Sequence, residues 1–484
     1  MILPLCLLSS GMLLPHQAPS GAPLHVRLTK PVGSFASKPG TAIRAVVIAP
    51  LIVADQLLVP SGAMVTGEVK SVHKVGFGIR HETAEIKLGF DHIELPNGDR
   101  IPIEARVQQV DNGRERVTAD GRIQRLRSTS TISYRATGYI RQALLWSVHA
   151  ELAEWLVRSM IVQVPEPEIY YPAGTEMTLG LTQPLLTGPT ESFLPEPRRL
   201  TEDEWFSMFG LVDALPFRTQ SADSKPSDLI NLLLIGSQEQ VTEAFKAAGW
   251  EQARAMCMRA RMRGIEAFIE GLGYRDAPMS SLFLDQSEPD MSWEKGLNDF
   301  SKRHHIRLWK RAETWDGKEV WIGAATRDVD FAYLRPGRTF THKVEENIDA
   351  ERDKIVADLA FTSYADVADW ADRSGVPRST SNATGDLMNT DGRVAIVELR
   401  DCVTPRLAVE VPDDEALPAH GNKMYRFARR EILSARNDLL RTNIYWRSFE
   451  GGRFVVNAIR HEHQRKELAK KTVPSTMAMS PAKL

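Results

Sequence analysis

The sequence predicts an α+β protein made of an N-terminal antiparallel β-barrel-like domain and a C-terminal ferredoxin-like domain with insertions. β-Branched runs and period-two alternation mark residues 24–185, which are punctuated by turns such as Pro60-Ser61-Gly62. Residues 186–227 are rich in proline and indicate a linker or arm, in which Thr201 and Glu204 form the capping-box pattern that begins a helix. Across residues 228–402, strand and helix patterns follow the order βαββαβ, which is typical of the ferredoxin-like arrangement.

The composition argues against several classes of protein. The chain has 484 residues, of which 43% are hydrophobic and 25% charged, as in ordinary folded domains. Its formal net charge of -2 gives no general attraction to nucleic acid, and no nucleic-acid partner is expected. The three cysteines, Cys6, Cys257 and Cys402, form no CxxC pair that would suggest a zinc or redox centre.

The N-terminus suggests where the protein resides. Ile2–Leu14 is an apolar run, followed by proline and small residues up to Pro23, so residues 1–22 are interpreted as a signal-like segment. The basic region that normally precedes such a run is missing, which leaves open a start site further upstream. Beyond it, no stretch approaches the roughly 20 apolar residues of a membrane-spanning helix. The expected location is exported, periplasmic or envelope-associated, with peripheral membrane contact possible in principle; the alternative is a cytoplasmic protein.

An internal similarity supports a closed barrel. LHVRLTKPV at Leu24–Val32 recurs as MTLGLTQPL at Met177–Leu185, as expected when the last strand returns beside the first. Between them, residues 138–162 predict an amphipathic helix. The phrases LLVPSGAMVTGEV and FDHIELPNGDRIPIEA occur in an order that resembles the β-barrel of TrbI-type subunits of secretion channels. That resemblance implies the barrel and not a channel function.

The second domain is predicted element by element. Leu229–Ile235 is a buried-strand run, and Ser237 with Gln240 forms the capping-box pattern that begins a helix. The other elements are an insertion at Trp250–Asp299, strands at His304–Lys310 and Glu319–Thr326, a helix at Asn347–Leu359 and a strand at Arg393–Leu399. Beyond them, residues 418–468 predict a helix plus hairpin, and residues 469–484 a disordered tail.

Four phrases of this second half carry a family resemblance. They are NLLLIGSQEQVTEAFKAAGW at Asn231–Trp250, RHHIRLW at Arg303–Trp309, VWIGAATRD from Val320, and the Thr341–Asp353 segment; Gly385–Leu399 also fits. Together they resemble the LssY C-terminal domain family. The resemblance implies a bacterial, often envelope-associated domain and assigns it no reaction. Because this chain lacks the membrane spans of some family fusions, their phosphatase chemistry is not implied.

Strand alternation suggests a ligand surface. His305, Arg307 and Trp309 share one face of their strand, and Trp321 and Arg327 share a face of the paired strand. In a two-layer domain we expect one sheet face to be open. These tryptophans and arginines would then form a cradle for an anionic or flat ligand.

A metal site is the alternative use of the same region. His305, Asp328 and His342, with Asp349 as a further candidate, are ligand types that suit Zn or another divalent metal. Their spacing forms no HxH or HExxH motif. Asp349 also fits a purely structural role, since a carboxylate in the first turn of a helix is stabilised by the helix dipole.

These patterns favour a non-catalytic binding or assembly component of the bacterial cell envelope, associated with transport or secretion. An envelope protein or an anionic ligand is the expected partner, and no cofactor is expected. The alternative is a metal-assisted hydrolase acting on an anionic envelope substrate, so the question of enzymatic activity stays open. The sequence does not identify a reaction, ligand, partner or oligomeric state.

Overall fold

The fold is seen in a computed structural model, which describes residues 16–54, 56–76, 83–95, 97–113, 115–125, 168–187, 190–192, 194–253, 279, 281–297, 302–334, 339–401, 428, 432, 433 and 456. The barrel and the second domain belong to one compact unit, residues 1–75 and 83–419, and residues 76–82 and 420–484 form another. The predicted helix at 138–162, the C-terminal tail, the three cysteines and nearly all of the helix-plus-hairpin extension lie outside the described residues.

The N-terminal domain is a closed antiparallel barrel, as predicted. Within the described residues its ring holds six strands: β2 (Pro23–Leu28), β4 (Ala42–Val47), β7 (Met64–His73), β8 (Glu85–Glu94), β9 (Arg100–Val110) and β13 (Glu176–Leu181). They pair in the order β8-β7-β4-β2-β13-β9, and β9 pairs back to β8. β13 pairs with β2 between the two similar sequence phrases, which confirms that the last barrel strand closes against the first.

Every second side chain along the barrel strands points inward, and these side chains fill the barrel interior. Leu24, Val26 and Leu28 of β2 are buried inside with Met177 and Leu179 of β13. The N-terminal domain also contains shorter strands outside this ring: β1 (His16–Ala18), β3 (Val32–Gly33), β5 (Leu51–Val53), β6 (Gln56–Val59), β10 (Arg116–Val117), β11 (Arg122–Gln124), β12 (Tyr170–Tyr171) and β14 (Leu185–Thr187). β1 falls within the predicted signal-like segment and pairs with β14.

The second domain is built on one large mixed sheet. Its strands are β17 (Leu232–Ile235), β18 (Glu251–Gln252), β20 (Met291–Gly296), β21 (Arg303–Trp315), β22 (Lys318–Leu334), β23 (Thr339–Val344), β24 (Ala365–Asp372) and β27 (Arg393–Leu399). They lie in the order β18-β20-β21-β22-β17-β27-β24, and β23 pairs with β22. The predicted insertion at Trp250–Asp299 thus supplies β18 and β20 to the sheet itself.

The ferredoxin-like detail is not confirmed. Strands β21, β22, β17 and β27 lie side by side, but a strict βαββαβ unit would make its last strand antiparallel to its first, since each crossover through a helix joins parallel strands. Here β27 runs parallel to β17. The reason is β24, which follows the last described helix and reverses the chain once more before β27. The α+β class holds.

Both faces of this sheet are covered. In the described residues three helices are present: α1 (Glu202–Asp213), α2 (Gln238–Ala247) and α3 (Ile348–Phe361). Helices α2 and α3 pack on the first face through residues such as Phe245 and Leu359. On the second face, α1 packs through Met208 and Val212 together with residues of a small sheet. That sheet consists of β15 (Arg218–Ser221), β16 (Pro226–Leu229) and β19 (Leu282–Phe283). A separate hairpin is formed by β25 (Ser379–Ser381) and β26 (Leu387–Asn389).

The predicted linker is therefore folded structure over much of its length. Residues 186–227 contain α1, β15 and the start of β16, and α1 begins with the predicted capping box of Thr201 and Glu204. The expectation of one open sheet face is wrong for the same reason, because α1 and the small sheet occupy that face. Among the described residues, no helix combines the length and the apolar character needed to cross a membrane.

Candidate functional site

The five predicted ligand residues do not form one open surface. Strand register pairs Trp309 with Ile322 on one face of the sheet. Trp321, the neighbour of Ile322, therefore lies on the other face, as Arg327 does opposite His304. That face is the one covered by α2 and α3. His305, Arg307 and Trp309 point to the other face. His305, Arg307, Trp309 and Trp321 are all at most 4% exposed. Arg327 is half-buried, and it is the one member of this set that retains substantial access to solvent.

Three of the four metal candidates do come together. The Nδ1 atoms of His342 and His305 lie 3.3 and 4.0 Å from the carboxylate of Asp328. Arg303 donates from Nε to the same carboxylate at 2.8 Å. Burial lowers the pKa of His305 to about 3, against the opposing effect of Asp328. The imidazole of His305 is thus neutral at physiological pH, and Nε2 lies 3.0 Å from the Thr326 hydroxyl.

The fourth metal candidate lies elsewhere. Asp349 sits in the first turn of α3, accepts from the Thr390 hydroxyl at 2.8 Å, and pairs with Arg352 at 3.2 Å. This is the structural role that its position in the sequence also allowed. In the part of the chain that the structure describes, no group of three or more His, Cys, Asp or Glu has an arrangement that could hold a metal ion.

A larger polar site lies where the barrel meets the second domain, and we call it the junction. On the barrel side, cross-strand register aligns Arg27 with Glu176, and His25 with Thr178. These side chains point outward because their neighbours, such as Val26 and Met177, fill the barrel interior. Thr178 in turn aligns with Gln109 of β9. The barrel thus presents two rows of polar groups to the second domain.

The second domain also has a row of polar residues at this interface. Lys295 of β20, His304 of β21 and Arg327 of β22 are cross-strand neighbours at one end of the large sheet. Arg327 donates to the side-chain oxygen of Gln109 at 2.9 Å, from the second domain to the barrel. From α3, the residues Glu351, Lys354 and Asp358 approach the same place, because spacings of three and four residues put them on one helix face.

A chain of buried charges runs through the junction. Lys295 is 1% exposed and donates to Glu176 at 2.7 Å, to Asp358 at 3.1 Å and to the carbonyl of Ala248 at 2.7 Å. Glu176 also pairs with Arg27, and Asp358 also pairs with Lys354. Burial alone would raise the pKa of Glu176, but Lys295 and Arg27 hold it well below its ordinary value. Glu176 is therefore ionised, and both carboxylates of this chain are paired with cations.

Uncharged contacts join the same two surfaces. Asn112, just after β9, donates its backbone N–H to the carbonyl of Gly296 at 2.6 Å, and its side-chain oxygen accepts from the N–H of Gly296 at 3.1 Å. Phe361 at the end of α3 packs against Val46 and Ile48 of the barrel. Backbone pairing, apolar burial and ion pairs thus coincide at one interface.

Sequence reasoning missed most of the junction. Lys295 lay inside the presumed insertion, although the alternation of Met291 and Trp293 could have indicated a strand there. Glu176, Lys354 and Asp358 gave no signal, because ordinary surface residues have the same spacing. His304 is 5% exposed, and strand alternation puts it on the same buried face as Ile306 and Leu308.

Comparison with known protein families supports the resemblance proposed for the second domain. Residues 212–394 match the family model described as LssY C-terminus, which confirms the resemblance carried by the sequence motifs. No curated protein matches the chain. Among solved structures, ComB10 of the Com type IV secretion system of Helicobacter pylori aligns with 37% of this chain and 94% of that chain, at 10% identity and a TM-score of 0.21. A score this low carries no argument, and the barrel is established by its strand pairing.

Proposed function

We propose that this protein is a non-catalytic binding or assembly component of the bacterial cell envelope, in which the barrel and the LssY-like domain act as a single unit. The observation that carries the proposal is the buried chain of charges from Arg27 through Glu176, Lys295 and Asp358 to Lys354. Buried ion pairs of this kind fix one relative arrangement of the two surfaces, since separating them would leave charges unpaired.

The state of the ionisable groups supports a non-catalytic role. A general base or nucleophile must come within hydrogen-bond distance of a substrate, so its reactive atom must be accessible. At the junction, Lys295, Glu176 and Asp358 direct their polar atoms at one another. Asp328 is similarly engaged by Arg303. Their arrangement suits the maintenance of a fixed geometry better than turnover.

An exposed aromatic pair supports binding to a partner protein. Phe206 and Phe209 lie one turn apart on the outer face of α1 and are 88% and 68% exposed. Large aromatic side chains are common at protein interfaces because they bury much apolar area with few rotatable bonds. The outer face of α1 is the proposed contact point for an envelope protein.

The proposed location is exported, periplasmic or envelope-associated, and it rests on the apolar run Ile2–Leu14 and on the family resemblance. Fusions of the full chain to alkaline phosphatase and to β-galactosidase test it, since alkaline phosphatase needs disulfides that form outside the cytoplasm. We expect an active phosphatase fusion and a complex larger than the monomer in extracted envelopes. An active galactosidase fusion with monomeric protein in the soluble fraction would contradict the proposal.

The double variant Phe206→Ser/Phe209→Ser tests the contact point. It should return the envelope complex to the mass of the monomer while leaving the melting temperature of the purified protein close to that of wild type. Ile52→Ser is a matched control, because Ile52 is another exposed apolar side chain, 56% accessible, on the barrel. If the control disrupts the complex and the double variant does not, α1 is not the contact.

The sequence left a metal-assisted hydrolase open as the alternative, and a different measurement separates it. The purified full chain is analysed for metals and assayed with phosphoesters and esters, beside Asp328→Asn. Stoichiometric metal and hydrolysis in the wild type, both lost in a variant that keeps its circular dichroism spectrum, would overturn the non-catalytic proposal.

A further inference from the structure

One carboxyl group of the junction is not paired with a cation. Glu351 of α3 is 2% exposed, and its Oε2 lies 2.6 Å from Nδ1 of His304, which is 5% exposed. Its other oxygen, Oε1, is buried and accepts no hydrogen bond from any described residue. Neither nearby cation bonds to it among the described residues: Lys354 donates to both oxygens of Asp358 at 3.1 Å, and Arg327 donates from Nη2 to Gln109 at 2.9 Å.

This geometry suits a protonated carboxyl. An ionised carboxylate has several acceptor positions to satisfy, and burying it without donors is strongly unfavourable. A protonated carboxyl needs one acceptor, and the neutral imidazole of His304 offers one at Nδ1. The environment agrees: burial raises the pKa of Glu351 to about 8 despite Lys354 and Arg327, and burial with Lys354 lowers that of His304 well below its ordinary value.

The geometry points to a proton-dependent latch between the barrel and the LssY-like domain: the closed junction holds Glu351 protonated, with its O–H donated to Nδ1 of His304, and loss of this proton loosens the junction. This inference goes beyond the proposed function and does not depend on it. The latch would make the attachment of the two domains respond to the pH of the surrounding compartment.

Loss of the proton disturbs the interface through its neighbours. A carboxylate at Glu351 would face the lone pair of His304 and would need a cation. Lys354 reaches the carboxylate only by leaving Asp358 of the same helix, which breaks no bond across the junction. Arg327, whose Nε has no hydrogen-bond partner among the described residues, reaches it by turning from Gln109 of the barrel. That exchange removes a bond that crosses the junction. Admitting water to solvate the carboxylate has the same effect, because it separates the two surfaces.

Every packed element contributes a charged or titratable group to this region. The barrel supplies His25, Arg27, Asp111 and Glu176; the large sheet supplies Lys295, His304 and Arg327; and α3 supplies Glu351, Lys354 and Asp358. Burial raises the pKa of Asp111 to about 6, and burial together with Lys354 lowers the pKa of His25 to about 4. Asp111 therefore favours the closed junction at low pH, as Glu351 does, whereas protonation of His25 opposes closure in acid.

The pH window follows from these directions. A group whose pKa is raised in the closed state stabilises that state fully below its ordinary pKa and loses the effect as pH rises through the raised value. For Glu351 this loss extends up to about pH 8. Opening then releases one proton, so the opening constant should rise about tenfold per pH unit. Between pH 6.5 and 8, Asp111 is mostly ionised and adds little.

Hydrogen exchange of the full chain tests the latch. The amides of Asn112 and Gly296 bond across the junction, so peptides that contain them report its opening. After correction for intrinsic exchange, their opening constant in the wild type should rise nearly tenfold per pH unit around pH 6.5 and level off above pH 8. Peptides from β8, on the barrel ring, serve as an internal reference. In Glu351→Gln the side-chain amide donates to His304 at every pH, and the slope should vanish.

Glu346→Gln is the matched control, since it removes an exposed carboxylate just before the same helix and should keep the wild-type slope. A wild-type slope that survives in Glu351→Gln overturns the latch. Infrared spectroscopy of the unmodified protein gives a second readout that needs no variant. The carbonyl band of a protonated carboxylic acid should be present at pH 7 and absent at pH 9.5, and its absence at pH 7 would also overturn the proposal.

Discussion

At the scale of the residue, the junction shows how the surroundings decide what a charged side chain does. Lys295 and Lys310 are chemically identical and both lie in the large sheet. Lys295 is 1% exposed and bonds two carboxylates, whereas Lys310 is 41% exposed and pairs with Glu319 near solvent. Removing the first leaves buried charges without a partner, and removing the second leaves a carboxylate that water can solvate.

Lys295→Met should therefore destabilise the protein strongly. We expect a loss of about 3–5 kcal/mol, because the buried carboxylates of Glu176 and Asp358 would lose their shared cation. The free energy of unfolding in urea measures this loss. Lys310→Met is the control and should cost less than about 1 kcal/mol. Equal losses in the two variants would mean that the buried charge chain contributes nothing beyond a surface pair.

At the scale of the element, local signals were reliable where they depended on a few adjacent residues. Both capping boxes identified in the sequence, at Thr201 and at Ser237, begin α1 and α2 as predicted. The proline content of residues 186–227 was misleading, because prolines flank α1 without interrupting it. A short helix that is stabilised by burial of Met208 and Val212 leaves only a weak amphipathic pattern.

Ser237→Ala tests the contribution of one cap. The hydroxyl accepts from the backbone N–H of Gln240 at 3.2 Å, and the side chain of Gln240 accepts from the N–H of Ser237 at 2.8 Å. Losing the cap should lower the free energy of unfolding by about 1 kcal/mol. Ser237→Asp preserves a capping oxygen and should retain most of the stability. If Ser237→Asp lowered the free energy of unfolding more than Ser237→Ala, the cap would not act through this hydrogen bond.

Glycine has opposite effects in two elements. A Cβ on Gly67 of β7 would lie 2.1 Å from the backbone oxygen of Gly89 on the paired strand, and a backbone atom cannot move aside. Gly67→Ala should therefore destabilise the barrel by about 1–3 kcal/mol or more. On Gly210 of α1, a Cβ meets no atom within 4 Å, and Gly210→Ala should stabilise the helix by about 0.5–1 kcal/mol. Melting temperatures should move in opposite directions, and a shared direction would contradict this account.

At the scale of the whole molecule, the two domains are joined by an interface with an apolar component as well as a charged one. Phe361 is 3% exposed and packs with Val46 and Ile48 of the barrel, while the guanidinium of Arg27 lies 5.3 Å from its ring centroid. Apolar burial resists separation at any pH, whereas the Glu351–His304 contact responds to protons. The stability of the closed form combines both contributions.

Phe361→Ala should weaken the coupling between the domains. We expect a loss of about 3–5 kcal/mol, as for other large aromatic side chains removed from a packed site. In calorimetry, the single transition expected for the wild type should separate into two, one for each domain. Phe206→Ala, at an 88% exposed position, should leave the profile unchanged. A single transition at lower temperature in Phe361→Ala would place its effect within one domain.

The sequence by itself determined the elements that depend on neighbouring residues: the alternating strands of the barrel, the two capping boxes, and the LssY-like motifs. It also indicated closure of the barrel, because the similarity between Leu24–Val32 and Met177–Leu185 reflects strands that pair. The tertiary structure decided which charges meet. In the folded protein, the sheet face that was expected to be open is covered, and Asp349 pairs with Arg352. It also brought Glu176, Lys295 and Asp358, far apart in the chain, within hydrogen-bond distance of one another. Spacing along the sequence encodes secondary structure, whereas burial and pairing of charges depend on contacts between distant segments, which a single sequence does not reveal.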